Sequence, residues 1–165
     1  MPRADDAAAA EEMLGDPEVM SFLGGEIVPA EDVPVVVGRW IERWEQYGVG
    51  PFVVESREDG RFLGRTGILV WDTRTWEHAD PGQAEHAQPE LGWAYARSAW
   101  GNGYATEAGR AVREWVRRDR GVERLISLIV PTNVRSRGVA ERLGAVAAET
   151  VWIHGTDEAV VWVHP

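Results

Sequence analysis

The stretch A-W-G-N-G-Y-A-T-E-A, Ala99 to Ala108, decides how the rest of the chain is read. Gly101 and Gly103 interrupt any regular element, and Tyr104 opens a helical run. Backbone N–H groups from Gly101 to Thr106 lack partners at such a helix start and, with the helix dipole, suit a pyrophosphate. A plain loop is the alternative. Two nucleotide signatures do not fit. A dinucleotide fingerprint needs a third glycine where Thr106 stands and an acidic residue ending the next strand, whereas Glu123 precedes its strand. A P-loop needs a lysine, and the chain has none.

Working outward, E-L-G-W-A-Y-A (90–96) predicts a strand directly before the turn. After it, Tyr104, Ala108, Ala111 and Trp115 are expected on the apolar face of a helix that Gly121 ends, with Arg110, Arg113, Glu114, Arg117 and Arg118 opposite. The nearly continuous apolar run L-I-S-L-I-V (125–130) predicts a central strand buried on both faces. Asn133 can cap a helix to Leu143, with Gly144 as its stop. In that first turn, N-V-R-S (133–136) puts an amide and a hydroxyl on one face, with simple capping and a solvated serine as the plain alternative. Two helix starts at the ends of neighbouring strands would define a cleft, where open sheets place ligands.

Toward the N-terminus, helices are expected over Asp5–Leu14, from Asp16-Pro17 to Phe22, and from an Asp32 cap to Gly48, with Val37, Trp40, Ile41 and Trp44 as the core stripe of the last. Strands at 51–56 and 61–71 flank a turn at Glu58-Asp59-Gly60, and two more, 146–154 and 159–164, surround Gly155-Thr156-Asp157. Residues 72–89 are polar and without a period, a long connection of the kind that carries function. No repeat or linker divides the chain, so a single α+β domain with a mixed sheet is expected over residues 1–165.

Composition narrows the function. The absence of cysteine excludes disulfides, thiolate metal sites and a cysteine nucleophile. No segment reaches the roughly eighteen apolar residues of a membrane helix, and the start lacks a signal pattern, so a soluble cytoplasmic protein with no membrane partner is expected. The 27 acidic residues outweigh 17 basic ones, all arginine, for a net charge of −10. Such a surface disfavours nucleic acid and draws a cationic partner, or simply confers solubility.

W-G-N-G-Y-A-T-E-A, followed by a strand and N-V-R-S-R-G-V-A-E-R-L-G, resembles the acetyl-CoA-binding core of the GNAT N-acetyltransferases. D-P-E-V-M-S-F-L-G-G and the W-G-x-G-Y-A-T-E-A form are similar to the branch containing ribosomal-protein N-terminal acetyltransferases (RimJ/RimL-like). The resemblance runs from about residue 2 to the end. It implies a GNAT fold, with a mixed, mostly antiparallel sheet flanked by helices, and an acetyl-CoA-dependent transfer to a primary amine in a ternary complex. The acceptor would be a peptide N-terminus or a small cationic amine, and no metal is implied.

The resemblance also distributes roles. Backbone amides of Trp100, Gly101, Asn102, Gly103, Tyr104, Ala105 and Thr106 would take the pyrophosphate, with side chains absent at the glycines so that it can approach. Asn133 would bond the pantetheine arm, and Ser136 would protonate the leaving thiolate. The strand Glu90 to Ala96 would splay from its neighbour, and its backbone, Tyr95 and Ala96 included, would meet the pantetheine and polarise the thioester carbonyl. An ammonium acceptor must first lose a proton. Glu90 is the first choice for that base, against a solvated strand-end carboxylate; His78 and His86 in the long loop are alternatives. Glu107 is accounted for by the helix dipole. Trp71, Trp76 and Trp93 are candidates to line an acceptor pocket.

Two departures from the family pattern stand out. Ser98 occupies a position where many members have Gln or Arg, with Arg97 adjacent as a substitute. The usual first strand is missing before Met1-Pro2-Arg3-Ala4-Asp5-Asp6, so either the start is misassigned or the sheet lacks that strand. Its absence would expose an edge beside residues 52–55 and favour a homodimer. A CoA-binding or interaction module without turnover is the alternative function. A toxin that modifies aminoacyl-tRNA on the same fold is disfavoured by the acidic charge.

Overall fold

The computed structural model describes all 165 residues, Met1–Pro165. In chain order the elements are α1 (Asp6–Leu14), α2 (Pro17–Met20), α3 (Val33–Tyr47), β1 (Pro51–Glu55), β2 (Phe62–Asp72), β3 (Glu77–His78), β4 (Ala87–Tyr95), α4 (Tyr104–Arg120), β5 (Ile126–Ile129), α5 (Val134–Arg142), β6 (Val146–Ile153) and β7 (Asp157–Val163). The strand order is β1-β2-β4-β5-β7-β6, with β3 added to β2. The β4–β5 pair is parallel, whereas β1–β2, β2–β3, β5–β7 and β6–β7 are antiparallel. The result is the expected α+β mixed sheet, and its first strand in the chain follows three helices.

The chain forms two compact units, Met1–Gly67 with Trp93–Ala105, and Ile68–Gly92 with Thr106–Pro165. In the first, α1, α2 and α3 supply Ala10, Met13, Leu14, Val19, Met20, Val33, Val37 and Trp40 to a core shared with Phe62, Ala94 and Ala96. Val37 and Trp40 are buried as their spacing predicts. Each such side chain contributes about 1.5–3 kcal/mol by leaving water. Asp16 caps α2 as expected, accepting from the N–H groups of Glu18 and Val19. Asp32 does not cap α3: the chain enters it through a 3-10 turn, Ala30–Asp32, which leaves the Asp32 side chain without a capping bond. At Gly67 an added Cβ would lie 2.2 Å from the Gly50 carbonyl oxygen. Only glycine lets β1 begin that close to β2.

In the second unit, β5 pairs with β7, and β7 with β6. Ile126, Ser127 and Ile129 are buried, in keeping with the central position predicted for this run. The buried stripe of α4 is Gly109, Val112 and Val116, not the Tyr104, Ala108, Ala111 and Trp115 face that spacing suggested; Ala111 is exposed. Tertiary packing selected the neighbouring stripe because Gly109 admits Leu143 so closely that a Cβ would meet its Cδ1 at 3.0 Å. The segment 72–89 is also less irregular than expected: β3 lies inside it, and β4 starts at Ala87 rather than Glu90 and ends at Tyr95.

His164, just after β7, is 4% exposed. Its Nε2 lies 2.9 Å from the Ser127 hydroxyl, which donates to the Leu91 carbonyl at 2.6 Å. With that hydroxyl proton committed, Nε2 must carry the imidazole proton. Burial, then the charges of Arg113 and Arg117, push His164 from 6.5 down to about 4. The unfolded chain therefore binds a proton through this window that the folded protein refuses, so stability falls as pH drops from 6.5 to about 4, by up to about 3 kcal/mol. Urea unfolding across that window should show the fall, and His164→Gln should flatten it.

Candidate functional site

The turn after β4 is built from beneath. Ala96 is buried, with its N–H on the Leu63 carbonyl at 2.9 Å, and a 3-10 turn at Arg97–Ala99 follows. The Tyr95 hydroxyl shares a hydrogen bond with Thr66 at 2.7 Å and donates to the Tyr104 carbonyl at 3.4 Å. The Trp100 indole N–H returns to the Tyr95 carbonyl at 2.9 Å. Asn102 Nδ2 donates to the carbonyls of Ala99 (3.3 Å) and Trp100 (3.1 Å). Three side chains thus brace the loop internally, and Gly101, Asn102 and Gly103 remain exposed on its outer face.

Gly101 and Gly103 have φ of +80° and +83°. L side chains rarely adopt that region, so glycine is required by the backbone. An added Cβ at either position would meet nothing within 4 Å. The space before these amides is open, just ahead of Tyr104, Ala105 and Thr106 in the first turn of α4, where N–H groups have no intrahelical acceptors. Exposed Glu107 follows in that turn, where the dipole favours it.

Arg97 does not reach out as a substitute cation: its guanidinium pairs with Asp16 at 3.1 Å and Glu18 at 3.2 Å. Ser98 donates to Glu12 at 3.0 Å. Both side chains tie the turn to the first two helices.

In the second unit, Asn133 Oδ1 accepts the Ser136 N–H at 3.0 Å and so caps α5. The cap uses the carboxamide oxygen and not the amide nitrogen. Ser136 is half-buried on the first turn. Arg142 Nε donates to Thr106 Oγ1 at 3.3 Å, which ties α5 to the first turn of α4.

Glu90 is not a solvated strand-end carboxylate. It is 6% exposed; Oε2 accepts the Trp71 indole N–H at 2.5 Å, and Oε1 accepts the Leu128 backbone N–H at 3.1 Å. Over Trp71 lie two imidazoles, His78 at 4.0 Å and His154 at 5.3 Å between ring centroids. Their own separation is 5.4 Å. His154 Nδ1 meets Glu77 Oε2 at 2.7 Å, with the imidazole partly open to solvent. The His154 backbone N–H donates to the Trp76 carbonyl, and both residues have left-handed backbones, φ +51° and +55°. Such strained non-glycine residues gather at functional sites. Sequence reasoning missed His154; the signal was its position beside the glycine of the last hairpin. The structure brings His78 into this cluster but leaves the exposed His86 outside it, where its carbonyl holds Thr73. Trp93 packs instead with Leu63 and Tyr95.

No helix is long and apolar enough to cross a membrane. Residues 1–146 match the family described as the acetyltransferase (GNAT) domain. The uncharacterized protein YkkB of Bacillus subtilis (strain 168) is 33% identical over 153 residues, 92% of this chain and 81% of YkkB. The aminoglycoside acetyltransferase AAC(6')-Ib, solved in complex with coenzyme A, is 20% identical, with a TM-score of 0.76 over 99% of this chain and 92% of that one. A protein of Vibrio cholerae described as a ribosomal-protein-serine acetyltransferase is 17% identical, with a TM-score of 0.75 over 99% and 90% of the two chains. The chain belongs to the GNAT acetyltransferase family, as an N-acetyltransferase whose acetyl donor is acetyl-CoA.

Proposed function

We propose that this enzyme transfers the acetyl group to a primary amine, either a peptide N-terminus or a small cationic amine, by direct attack in a ternary complex. The observation that carries the donor's placement is the glycine turn: two left-handed glycines with open space before them at the start of a 17-residue helix. Backbone amides from Trp100 to Thr106 would hold the pyrophosphate, and the amide nitrogen of Asn133 would reach the pantetheine while its oxygen caps α5. The net charge of −10 supports a cationic acceptor. The motif form, together with the likeness to the Vibrio cholerae protein, supports a RimJ/RimL-like peptide acceptor, and the likeness to the aminoglycoside enzyme supports a small polyamine.

Side chains alternate along β4, and so do backbone directions. Ala96 turns its N–H to Leu63 of β2, while the Leu91 carbonyl meets Ser127 of β5. Trp93 and Tyr95 therefore present backbone on the same side of the strand as Leu91, where fixed N–H groups can stabilise the thioester oxygen as it gains charge. The acceptor ammonium gives up one proton before attack and a second as the C–N bond forms and the C–S bond breaks. Ser136 gives its hydroxyl proton to the departing sulfur and recovers that second amine proton, directly or through water, so the products are the amide and the free thiol. For the first proton, Glu90 was the expected base, but its carboxylate is buried and already accepts two N–H groups. His154, oriented by Glu77 and partly open to solvent, is the better acceptor.

Calorimetric titration of acetyl-CoA, followed by thiol release across amines and N-terminal peptides, tests the proposal. Saturable binding with acceptor-dependent release is expected; binding without release from any acceptor would favour the module without turnover. Gly103→Arg should abolish acetyl-CoA binding with circular dichroism unchanged, and unaltered affinity would remove the turn from the donor site. Ser136→Ala should lower kcat about 10²-fold with less effect on affinity. His154→Gln should lower acceptor kcat/KM by about 10²-fold, leaving acetyl-CoA affinity as it was.

A further inference from the structure

The β4–β5 ladder has one register pair, Glu90↔Ile126. In parallel pairing continued from there, the next rung runs from the Leu128 N–H to the Leu91 carbonyl. Neither group reaches the other. The Leu91 carbonyl accepts the Ser127 hydroxyl at 2.6 Å, and the Leu128 N–H donates to Glu90 Oε1 at 3.1 Å. One side chain from each strand has taken one end of the missing rung.

Both intercepting groups are themselves held. The second oxygen of Glu90 accepts the Trp71 indole N–H at 2.5 Å, and the Ser127 oxygen accepts from His164 Nε2 at 2.9 Å. Glu90, Ser127, Trp71 and His164 are all buried, so water does not compete for these bonds. An interrupted ladder ordinarily leaves buried N–H and C=O groups unsatisfied, at considerable cost. Here the interruption leaves both satisfied, so the strands can stand apart at this point before any ligand arrives.

We propose that Glu90 and Ser127 are positioning residues that hold β4 and β5 apart at the start of their divergence and so pre-form the gap for the acyl-pantetheine arm of acetyl-CoA. This assignment rests on the donor site proposed above. It gives Glu90 a part in donor binding rather than in proton transfer. It also explains why a serine interrupts the otherwise aliphatic run L-I-S-L-I-V: alanine or valine there would leave the Leu91 carbonyl to the Leu128 N–H.

The test uses two probes that differ by the acetylated phosphopantetheine arm, acetyl-CoA and adenosine 3′,5′-diphosphate, each titrated by calorimetry. The variants are Glu90→Gln, Ser127→Ala, Ser127→Thr and the double variant Glu90→Ala/Ser127→Ala. Ser127→Ala and the double variant should weaken acetyl-CoA at least tenfold and leave adenosine 3′,5′-diphosphate unchanged, with Ser127→Thr restoring affinity by restoring the hydroxyl. In the ligand-free double variant, a trans-hydrogen-bond scalar coupling between the Leu128 amide and the Leu91 carbonyl should appear by NMR, as the rung closes. If the double variant does not fold, Ser127→Ala and Glu90→Gln carry the same measurements. Folded Ser127→Ala and double variants with wild-type acetyl-CoA affinity, or a Glu90→Gln that loses turnover at unchanged affinity, would overturn the proposal. Failure of the wild-type protein to bind either probe would instead sink the donor site, and the scalar coupling would still decide whether the two side chains hold the rung open.

Discussion

Between β4 and β5 the backbone ladder gives way, after one register pair, to hydrogen bonds made by side chains. A parallel sheet interior normally enforces backbone pairing, because an unpaired N–H or C=O costs more there than a hydrogen bond returns. This sheet escapes that rule because a carboxylate and a hydroxyl stand in for the missing partners. Trp71 and His164 then hold the stand-ins, so the gap is anchored in the packing of the second unit. The imidazole that supports Ser127 is kept neutral by its burial and by the nearby charges of Arg113 and Arg117.

The glycine turn shows a complementary economy. The side chains of Tyr95, Trp100 and Asn102 each donate to a backbone carbonyl at the end of β4, in the loop or at the helix start, while Gly101 and Gly103 expose only backbone. A loop held this way does not need a ligand to find its shape, and pre-organisation lowers the entropic cost of binding. Arg97 belongs to the same scaffold. Paired with Asp16 and Glu18, it holds the turn to α2.

Around Trp71 one indole meets three side chains: its N–H donates to Glu90, and its face carries His78 and His154. The strain at Trp76 and His154 is concentrated where Glu77 orients an imidazole through its Nδ1.

The sequence by itself determined what depends on neighbours along the chain. Glycines that need positive φ marked the turn, Asp16 and Asn133 marked helix starts, and the aliphatic run ending in Ile129 marked a central strand, because turns, caps and strand burial are written in consecutive residues. It marked the Asp32 cap and the α4 stripe less well. A 3-10 turn took over the helix entry, and the close approach of Leu143 to Gly109 chose the buried face. Only the tertiary structure decided what Glu90, Arg97 and His154 do. Their partners Leu128, Asp16 and Glu77 lie far away in sequence, 38 residues for Glu90 and 77 for His154, and no local pattern records which side chain a folded sheet delivers to a distant N–H or carboxylate.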